Sequence, residues 1–116
     1  MAKFLLLIHD DPKEDMAMTP EQLRDAIARY RSWSQALSQN GHLIDAAKLA
    51  DEGGRVLSRV NGEVRIDDGP YAEAKEILGG YYILEAKDYD HAADLAKECP
   101  TLSGKGRVSL RMLDLQ

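Results

Sequence analysis

Apolar and polar positions along the chain follow patterns that predict six strands and two helices. Residues 4–8 are an unbroken apolar run that ends at polar residues, which is typical of a strand covered on both faces. The Asn-Gly pair at residues 61–62 predicts a tight hairpin between two short strands. Residues 10–18 are acidic and irregular, and we expect a surface loop there. The other strands are predicted at residues 42–50, 55–60, 63–66, 78–85 and 108–112.

The first predicted helix has a complete start signal. Thr19 is the expected N-cap, Pro20 suits the first turn, and Gln22 is placed to reach back to the cap. Gly41 supplies the left-handed residue that commonly ends a helix. Between these signals, apolar residues recur at the three-to-four spacing of one buried helix face. They are Leu23, Ile27, Tyr30, Trp33 or Ser34, and Leu37.

A second helix is predicted between Asp88, which suits an N-cap, and Pro100, which ends it. The element order is then β-α-β-hairpin-β-α-β. This order predicts an α+β fold of the ferredoxin-like type, with an antiparallel sheet and two helices on one of its faces. At 116 residues, the chain fits a single domain that covers residues 1–116. The buried side of the second helix is expected to contain Ala92, Leu95, Ala96 and Cys99.

A sheet of this kind has no helices on its second face. Leu5 or Leu6, Ile83 and Leu110 are candidates to lie there. Two copies packed sheet to sheet would bury these side chains. We therefore expect a homodimer, with a pocket between sheet and loops, and leave open whether dimers associate further.

Composition excludes several classes of function. The net charge of −5 and the scattered basic residues argue against direct nucleic-acid binding, which needs clustered Lys and Arg. The single cysteine, Cys99, excludes an internal disulfide and a cysteine-based zinc cluster. The apolar start of the chain is too short for a secretory segment, and no stretch approaches a membrane span. The expectation is a cytoplasmic protein without membrane contact, cofactor or metal.

The densest chemistry lies in residues 66–84, where a turn, five ionisable side chains and a Gly-Gly pair precede an apolar strand. Carboxylates beside a lysine can bind a polar ligand or transfer protons if burial moves a pKa toward neutrality. Glu73 and Lys75 are two residues apart, so in an extended segment they project on the same side. The alternative is a turn stabilised by Asp68, with the other charges in solvent. The ionisable residues are Asp67, Asp68, Glu73, Lys75 and Glu76.

Other side chains add to the candidates. His9 ends the first strand, where a neutral imidazole can act as acid, base or ligand, or where it is simply solvated. A metal site on His9, Asp10 and Asp11 is a weak alternative, because the histidine spacings match no metal motif. Tyr30 belongs to the buried helix stripe, with a secondary role as a pocket hydroxyl. The Gly-Gly pair at residues 79–80 admits a ligand to the backbone, or permits a bulge or close packing.

Asp-Gly-Pro-Tyr at residues 68–71, followed by Glu73, Lys75 and Gly-Gly-Tyr-Tyr at residues 79–82, resembles the signature of the DGPF branch of the YCII-related proteins. The resemblance covers nearly the whole chain, although Tyr71 stands where the signature has Phe. It implies a dimeric α/β barrel built from ferredoxin-like protomers. Some relatives behave as small enzymes, and some DGPF members are linked with alternative sigma factors in bacteria.

The YCII branch carries a His on its first helix and an Asp before the proline that ends its second helix, thought to act as a pair. By position, these places fall on Tyr30 and Cys99 of this chain. The resemblance therefore does not carry a His–Asp acid–base couple to this protein.

These observations support two classes of function. The leading hypothesis is a site for a small polar metabolite between sheet and loops, with lyase or isomerase chemistry if it is catalytic. The rival is a non-catalytic regulatory module that acts with a sigma factor, since an acidic surface suits a basic protein partner. In a third view, the motif only shapes the fold and the dimer. The predicted catalytic residues are Glu73, Lys75 and His9, and the predicted ligand-binding residues are Asp68, Tyr71, Tyr30 and Tyr81.

Overall fold

The computed structural model describes residues 1–71 and 73–115, and within them it contains six strands, three α-helices and one 3₁₀ helix. The predicted order of the strands and of the two long helices is confirmed, and strand boundaries agree within about two residues. The strands are β1 (Ala2–Asp10), β2 (Leu43–Lys48), β3 (Arg55–Val60), β4 (Glu63–Asp68), β5 (Ile77–Ala86) and β6 (Arg107–Met112). The helices are α1 (Pro12–Met16), α2 (Pro20–Gln39), α3 (Tyr89–Ala96) and the 3₁₀ helix Pro100–Ser103.

Four strands form one antiparallel sheet in the order β2-β5-β1-β6. β1 lies inside the sheet and pairs with both β5 and β6, while β2 pairs with the other side of β5. Side chains from α2 and α3 join the same core on one face of this sheet. The predicted α+β, ferredoxin-like fold with two helices on one face is confirmed.

Alternate residues of β1 and β5 supply the sheet side of the core. Phe4, Leu6 and Ile8 are buried, because the pleat of a strand sends every second side chain to the same face. The same alternation buries Tyr82 and Leu84 in β5. The buried residues that the helical segments add are Trp33, Leu37, Ala92, Ala96 and Cys99.

The second face of the sheet has no helix on it, and we call it the open face. Leu5 and Leu7 point there and are only half-buried. The prediction that the first strand is covered on both faces is therefore wrong for the single chain. Leu110 also differs from the prediction: it pairs with Leu6 across the sheet and packs in the core on the helix side.

Residues 12–16 form a short helix, α1, where the acidic pattern predicts a loop. Asp11 is its N-cap and accepts a hydrogen bond from the Lys13 backbone N–H at 2.9 Å. Pro12 occupies the first turn and is buried. Glu14 fastens the helix to the loop before β6, since its Oε2 accepts from the Lys105 N–H at 2.9 Å. The N-cap at Asp11 therefore allows a helix to form where the composition predicts a loop.

The hairpin of β3 and β4 forms a sheet of its own. Asn61 and Gly62 have φ values of 52° and 83°, the left-handed pair that a two-residue hairpin turn requires. Every residue of β3 is exposed, as is most of β4. Because this hairpin adds little to the core, the radius of gyration is 16.1 Å, against about 13 Å for a compact chain of this length.

The base of the hairpin depends on two glycines. The backbones of Gly53 and Gly69 approach so closely that a Cβ on either one would overlap the carbonyl of the other. The Gly69 N–H also donates to the Gly54 carbonyl at 3.0 Å. The glycine of the Asp-Gly-Pro-Tyr turn is therefore required by backbone packing.

The predicted start of α2 is confirmed. The Gln22 N–H donates to Thr19 Oγ1 at 3.1 Å, and the Thr19 N–H donates to Gln22 Oε1 at 2.9 Å. Gly41 has a φ of 76° and follows the helix, as predicted.

The buried stripe of α2 is shorter than predicted. Trp33 and Leu37 are buried, but Leu23 and Ile27 are 51% and 48% exposed. A helix of 20 residues is about 30 Å long, and only its second half contributes to the core. The prediction of one continuous buried face is thus wrong for the first half of α2.

The same substitution at two positions of α2 measures this difference. Leu37→Ala should lower the free energy of unfolding by about 2–5 kcal/mol, because it leaves a cavity in the core. Leu23→Ala should lower it by less than about 1 kcal/mol, because the side chain is half in solvent. Urea unfolding followed by circular dichroism provides both values. Equal losses at the two sites would contradict this account of the helix.

Candidate functional site

β1 ends in two polar residues that point to opposite faces of the sheet. His9 follows Leu7 toward the open face, and Asp10 follows Ile8 toward the helices. Each belongs to a group of polar side chains. The helix-side cluster consists of Asp10, Glu14, Asp15, Tyr30, Lys48, Asp51 and Tyr71. The open-face cluster consists of His9, Glu76, Arg107 and Ser109.

Asp10 is the carboxyl group whose ionisation is most changed in the helix-side cluster. Burial and, second, the Asp15 carboxylate raise the pKa of Asp10 from 3.8 to about 6, while the Lys48 ammonium opposes the shift. A carboxyl with a pKa near neutrality can both accept and return a proton at physiological pH. Asp10 therefore has the ionisation expected of a general acid–base group.

A β-bulge makes the space that Asp10 occupies. β5 has one extra residue, Gly79, opposite residues 8–9 of β1. The Asp10 carboxylate lies where a Cβ on Gly79 would be. A Cβ on Gly80 would lie 2.7 Å from the Ala47 carbonyl oxygen. Both glycines of the motif thus serve the bulge and close packing that the sequence left as one alternative.

Negative charge dominates this corner of the molecule. Lys48 donates from Nζ to Asp51 Oδ1 at 2.8 Å, so the Lys48 ammonium already neutralises one of the carboxylates. Burial raises the pKa of Asp15, and the Asp51 and Glu14 carboxylates add to the shift. Four carboxyl groups around one ammonium favour a neutral or positively charged ligand over an anion.

Tyr30 brings a phenol to the same region. Its hydroxyl is hydrogen-bonded to the hydroxyl of Thr101, and the Cys99 Sγ donates to that Thr101 oxygen at 3.5 Å. Burial raises the pKa of Tyr30 and of Cys99, and the Asp10 carboxylate contributes to both shifts. Both groups are therefore protonated at neutral pH, and Tyr30 lies within electrostatic range of Asp10.

Tyr71 links the Asp-Gly-Pro-Tyr turn to this cluster. Partial burial raises the pKa of Tyr71, and the Asp51 and Asp15 carboxylates raise it further. Asp68 behaves differently, because its side chain is 87% exposed and lies 3.4 Å from Arg55 Nη1. The turn thus places its aromatic residue toward the cluster and its aspartate in solvent.

The open-face cluster is held by short polar contacts. His9 Nε2 lies 2.8 Å from Ser109 Oγ, and His9 Nδ1 lies 3.3 Å from Glu76 Oε1. Arg107 donates from Nε and Nη2 to both Glu76 oxygens, at 2.6 and 2.7 Å. These hydrogen bonds lower the pKa of Glu76 and keep it ionised. The imidazole is therefore contacted at both ring nitrogens.

The remaining predicted residues lie elsewhere. Tyr81 is on the open face and donates from its hydroxyl to Asp45 Oδ2 at 3.0 Å. Glu73 and Lys75 are exposed, and neither forms a hydrogen bond or ion pair with another residue in the described ranges.

The structure thus divides the predicted site. It brings Tyr30 and Tyr71 to the helix-side cluster and leaves His9 and Tyr81 on the opposite face of the sheet.

Several residues of the two clusters lie outside the predicted site. The sequence pattern suggests Asp10 only as a metal ligand, and it does not indicate Lys48, Ser109 or Arg107. The alternation of β1 contains a signal for Asp10, since a polar residue at the next core-facing position after Ile8 must end the core. Ser109 and Arg107 carry no such signal, because only the pairing of β6 with β1 places them beside His9.

Residues 1–71 and 73–115 provide neither a metal-binding group nor a membrane-spanning helix. These ranges contain no group of three or more His, Cys, Asp or Glu side chains arranged to hold a metal ion. They also contain no helix with the length and apolar character needed to cross a membrane.

The fold and the paired polar clusters define a small α+β protein of the ferredoxin-like type with polar sites at the end of its central strand. The model of the YCII-related domain matches residues 2–111, so the chain belongs to the YCII-related family. It is also similar to an uncharacterised protein of Rhizobium meliloti (strain 1021), with 30% identity over an alignment of 100 residues; the match covers 82% of this chain and 77% of that protein.

The raised pKa of Asp10 predicts how stability depends on pH. The folded state holds this proton more tightly than the unfolded chain, so ionisation lowers stability as pH rises from about 4 to about 6. The full shift corresponds to roughly 3 kcal/mol, and solvent screening of a partly buried group reduces this to about 1 kcal/mol. Asp10→Asn should therefore raise the melting temperature by about 4 °C above pH 6.5.

That gain should disappear below about pH 4, where Asp10 is protonated in both states. Asp25→Asn on the exposed side of α2 is the matched control, since it removes the same charge without burial. Calorimetry across pH 4–8 measures both variants. A gain at Asp10 that does not change with pH would contradict the burial of its charge.

Proposed function

We propose that the helix-side cluster is a general acid–base site for a small polar metabolite, with Asp10 as the proton acceptor. The observation that carries the proposal is the pKa of about 6 at a partly buried carboxyl seated against Gly79. We also assign the chain to the DGPF branch, on the strength of its motif at residues 68–71 and the glycine pair that accommodates Asp10.

The reaction class follows from the groups present. Asp10 would remove a proton from a carbon or heteroatom of the ligand, as in lyase and isomerase steps. Tyr30 stays protonated, so it can donate a hydrogen bond to negative charge that develops during the reaction. Lys48 limits the repulsion among the carboxylates and keeps the pKa of Asp10 from rising further.

The ligand class follows from the charge of the cluster. Asp15 and Asp51 would repel a carboxylate or phosphate, and they would attract an amine. The favoured ligand is therefore a neutral or amine-bearing metabolite rather than an organic acid. Tyr71 lies beside these carboxylates and would contact the bound ligand.

A thermal-shift screen of neutral, cationic and anionic metabolites tests the proposal. Ligand at 100 times its dissociation constant should stabilise the protein by about 2.7 kcal/mol, which is several degrees. Hits should come from the neutral and cationic compounds. Asp10→Asn and Gly79→Ala should each abolish the shift, the latter because its methyl group displaces the Asp10 carboxylate.

The control is Asp25→Asn, which should keep the full ligand-induced shift. A Glu73→Gln, Lys75→Met double variant, measured alongside, determines whether the exposed part of the motif contributes to binding. Retention of the shift in Asp10→Asn would remove Asp10 from the site.

We further propose that the protein is a homodimer joined through the open face. Leu5, Leu7 and Ile83 lie there half-buried, and Leu78 is 48% exposed. An apolar sheet face of this kind is usually covered by a second layer. A second copy supplies that layer with the same surface on both partners.

Sedimentation velocity at micromolar concentration tests the assembly. The wild-type protein should sediment as a dimer, and Leu5→Arg should sediment as a monomer because it places charge in the interface. Leu23→Arg, on the exposed part of α2, should remain dimeric. A dimer that survives Leu5→Arg would place the interface elsewhere.

A further inference from the structure

We infer that Ser109, His9 and Glu76 form a second reactive site, in which Ser109 is a nucleophile toward small apolar esters. This site lies on the open face, whereas the helix-side cluster lies on the other face of the sheet. It shares no residue with that cluster, so the inference stands independently of the proposed acid–base function.

The three side chains have the order of contacts that activates a serine. Ser109 Oγ lies 2.8 Å from one ring nitrogen of His9, and Glu76 lies 3.3 Å from the other. A carboxylate at Nδ1 favours the tautomer with its proton on Nδ1. Nε2 then has a free lone pair and accepts the hydrogen bond from the Ser109 hydroxyl. His9 thus acts as the base for Ser109, and the Glu76 carboxylate orients the His9 ring.

Arg107 fixes the anion of this group. Its two hydrogen bonds hold Glu76 in one orientation, so Glu76 in turn holds the imidazole. Glu76 acts through His9 and is a positioning residue. Arg107 and Ser109 are two residues apart on β6, so both project on the open face and the guanidinium adds positive charge on the side of the sheet where the serine reacts.

An apolar hollow beside the serine indicates the substrate class. The hollow has a volume of about 380 Å³ and opens on the same face of the sheet. It adjoins the cluster because Leu7 pairs with Ser109, and Leu78 pairs with His9. Its lining is almost entirely apolar, which suits a short acyl chain and not a charged group. The lining residues are Leu5, Leu7, Leu49, Leu78, Gly80, Tyr81 and Ile83.

The reaction uses only the ester and water. Ser109 Oγ attacks the ester carbonyl carbon while its proton moves to His9 Nε2, and a C–O bond forms. The tetrahedral intermediate collapses, the bond to the alkoxide breaks, and the alcohol leaves with the proton from His9. Water then gives a proton to His9 Nε2 and attacks the acyl carbon. The bond between that carbon and Ser109 Oγ breaks, His9 returns the proton to Oγ, and the carboxylic acid leaves.

The cluster lies at the rim of the open face. His9 is near the end of β1, whereas Leu5 is near its middle. Glu76 and Arg107 side chains are 37% and 59% exposed. Four residues that line the hollow also belong to the proposed dimer interface, so in the dimer the hollow would lie between the two copies. The ester would enter at the rim, beside Arg107.

An alkyl fluorophosphonate tests the nucleophile directly. Ser109 should displace fluoride and form one covalent phosphonate ester, which mass spectrometry of the intact protein and of its peptides locates. Ser109→Ala should abolish the adduct. His9→Gln should slow labelling by about 100-fold, the usual contribution of a general base. Ser58→Ala removes an exposed hairpin serine and should leave the rate unchanged.

Two further variants test the role of Glu76. Glu76→Gln should slow labelling, and Glu76→Asp should restore part of the rate because it keeps the negative charge. A merely structural role would lower the melting temperature of both variants without this ordering of rates. Calorimetry of each variant confirms that the comparison is made on folded protein.

Hydrolysis of p-nitrophenyl butyrate tests the substrate class. Release of p-nitrophenol should stop in Ser109→Ala and continue in Ser58→Ala. The inference is overturned if the folded wild-type protein gains no adduct at Ser109, if His9→Gln is labelled at the wild-type rate, or if ester hydrolysis does not depend on Ser109.

Discussion

The pairing of β1 with β5 is the interaction on which the rest of the structure depends. β1 also pairs with β6, so it occupies the inside of the sheet and its alternate residues form the centre of the core. Because the pleat has a period of two, each position on this strand is committed to one face. A shift of one residue would move Phe4, Leu6 and Ile8 out of the core. The register is therefore strongly defined by hydrophobic burial.

The same period of two separates the chemistry of the protein into two regions. His9 and Asp10 are adjacent in sequence, yet one meets Ser109 on the open face and the other lies among carboxylates on the helix side. The bulge at Gly79 accommodates Asp10, because it gives the carboxylate space against the backbone of β5, whereas the pairing of β1 with β6 brings Ser109 to His9. The strand end thus places each residue in a separate polar cluster, one on each face of the sheet.

The motif at residues 66–84 shapes the backbone more than its many charged residues suggest. Gly69 allows the base of the hairpin to close against Gly53, and Gly79 allows the bulge. Its charged residues are mostly in solvent, and Glu76 is the one that organises a histidine. The positions at which the family resemblance places a His–Asp pair hold Tyr30 and Cys99, which remain linked through Thr101.

The sequence by itself determined the strands, the two long helices, the caps at Thr19 and Asp88 and the Asn-Gly turn, because these depend on interactions between near neighbours in the chain. It also indicated the fold class, through the order of the elements. It could not predict that half of α2 lies outside the core, since burial depends on where the sheet ends. Only the tertiary structure decided which polar residues meet. Ser109 and His9 are separated by 100 positions, and Tyr30 and Thr101 by 71, so their contacts arise from strand register and helix packing that no local pattern records.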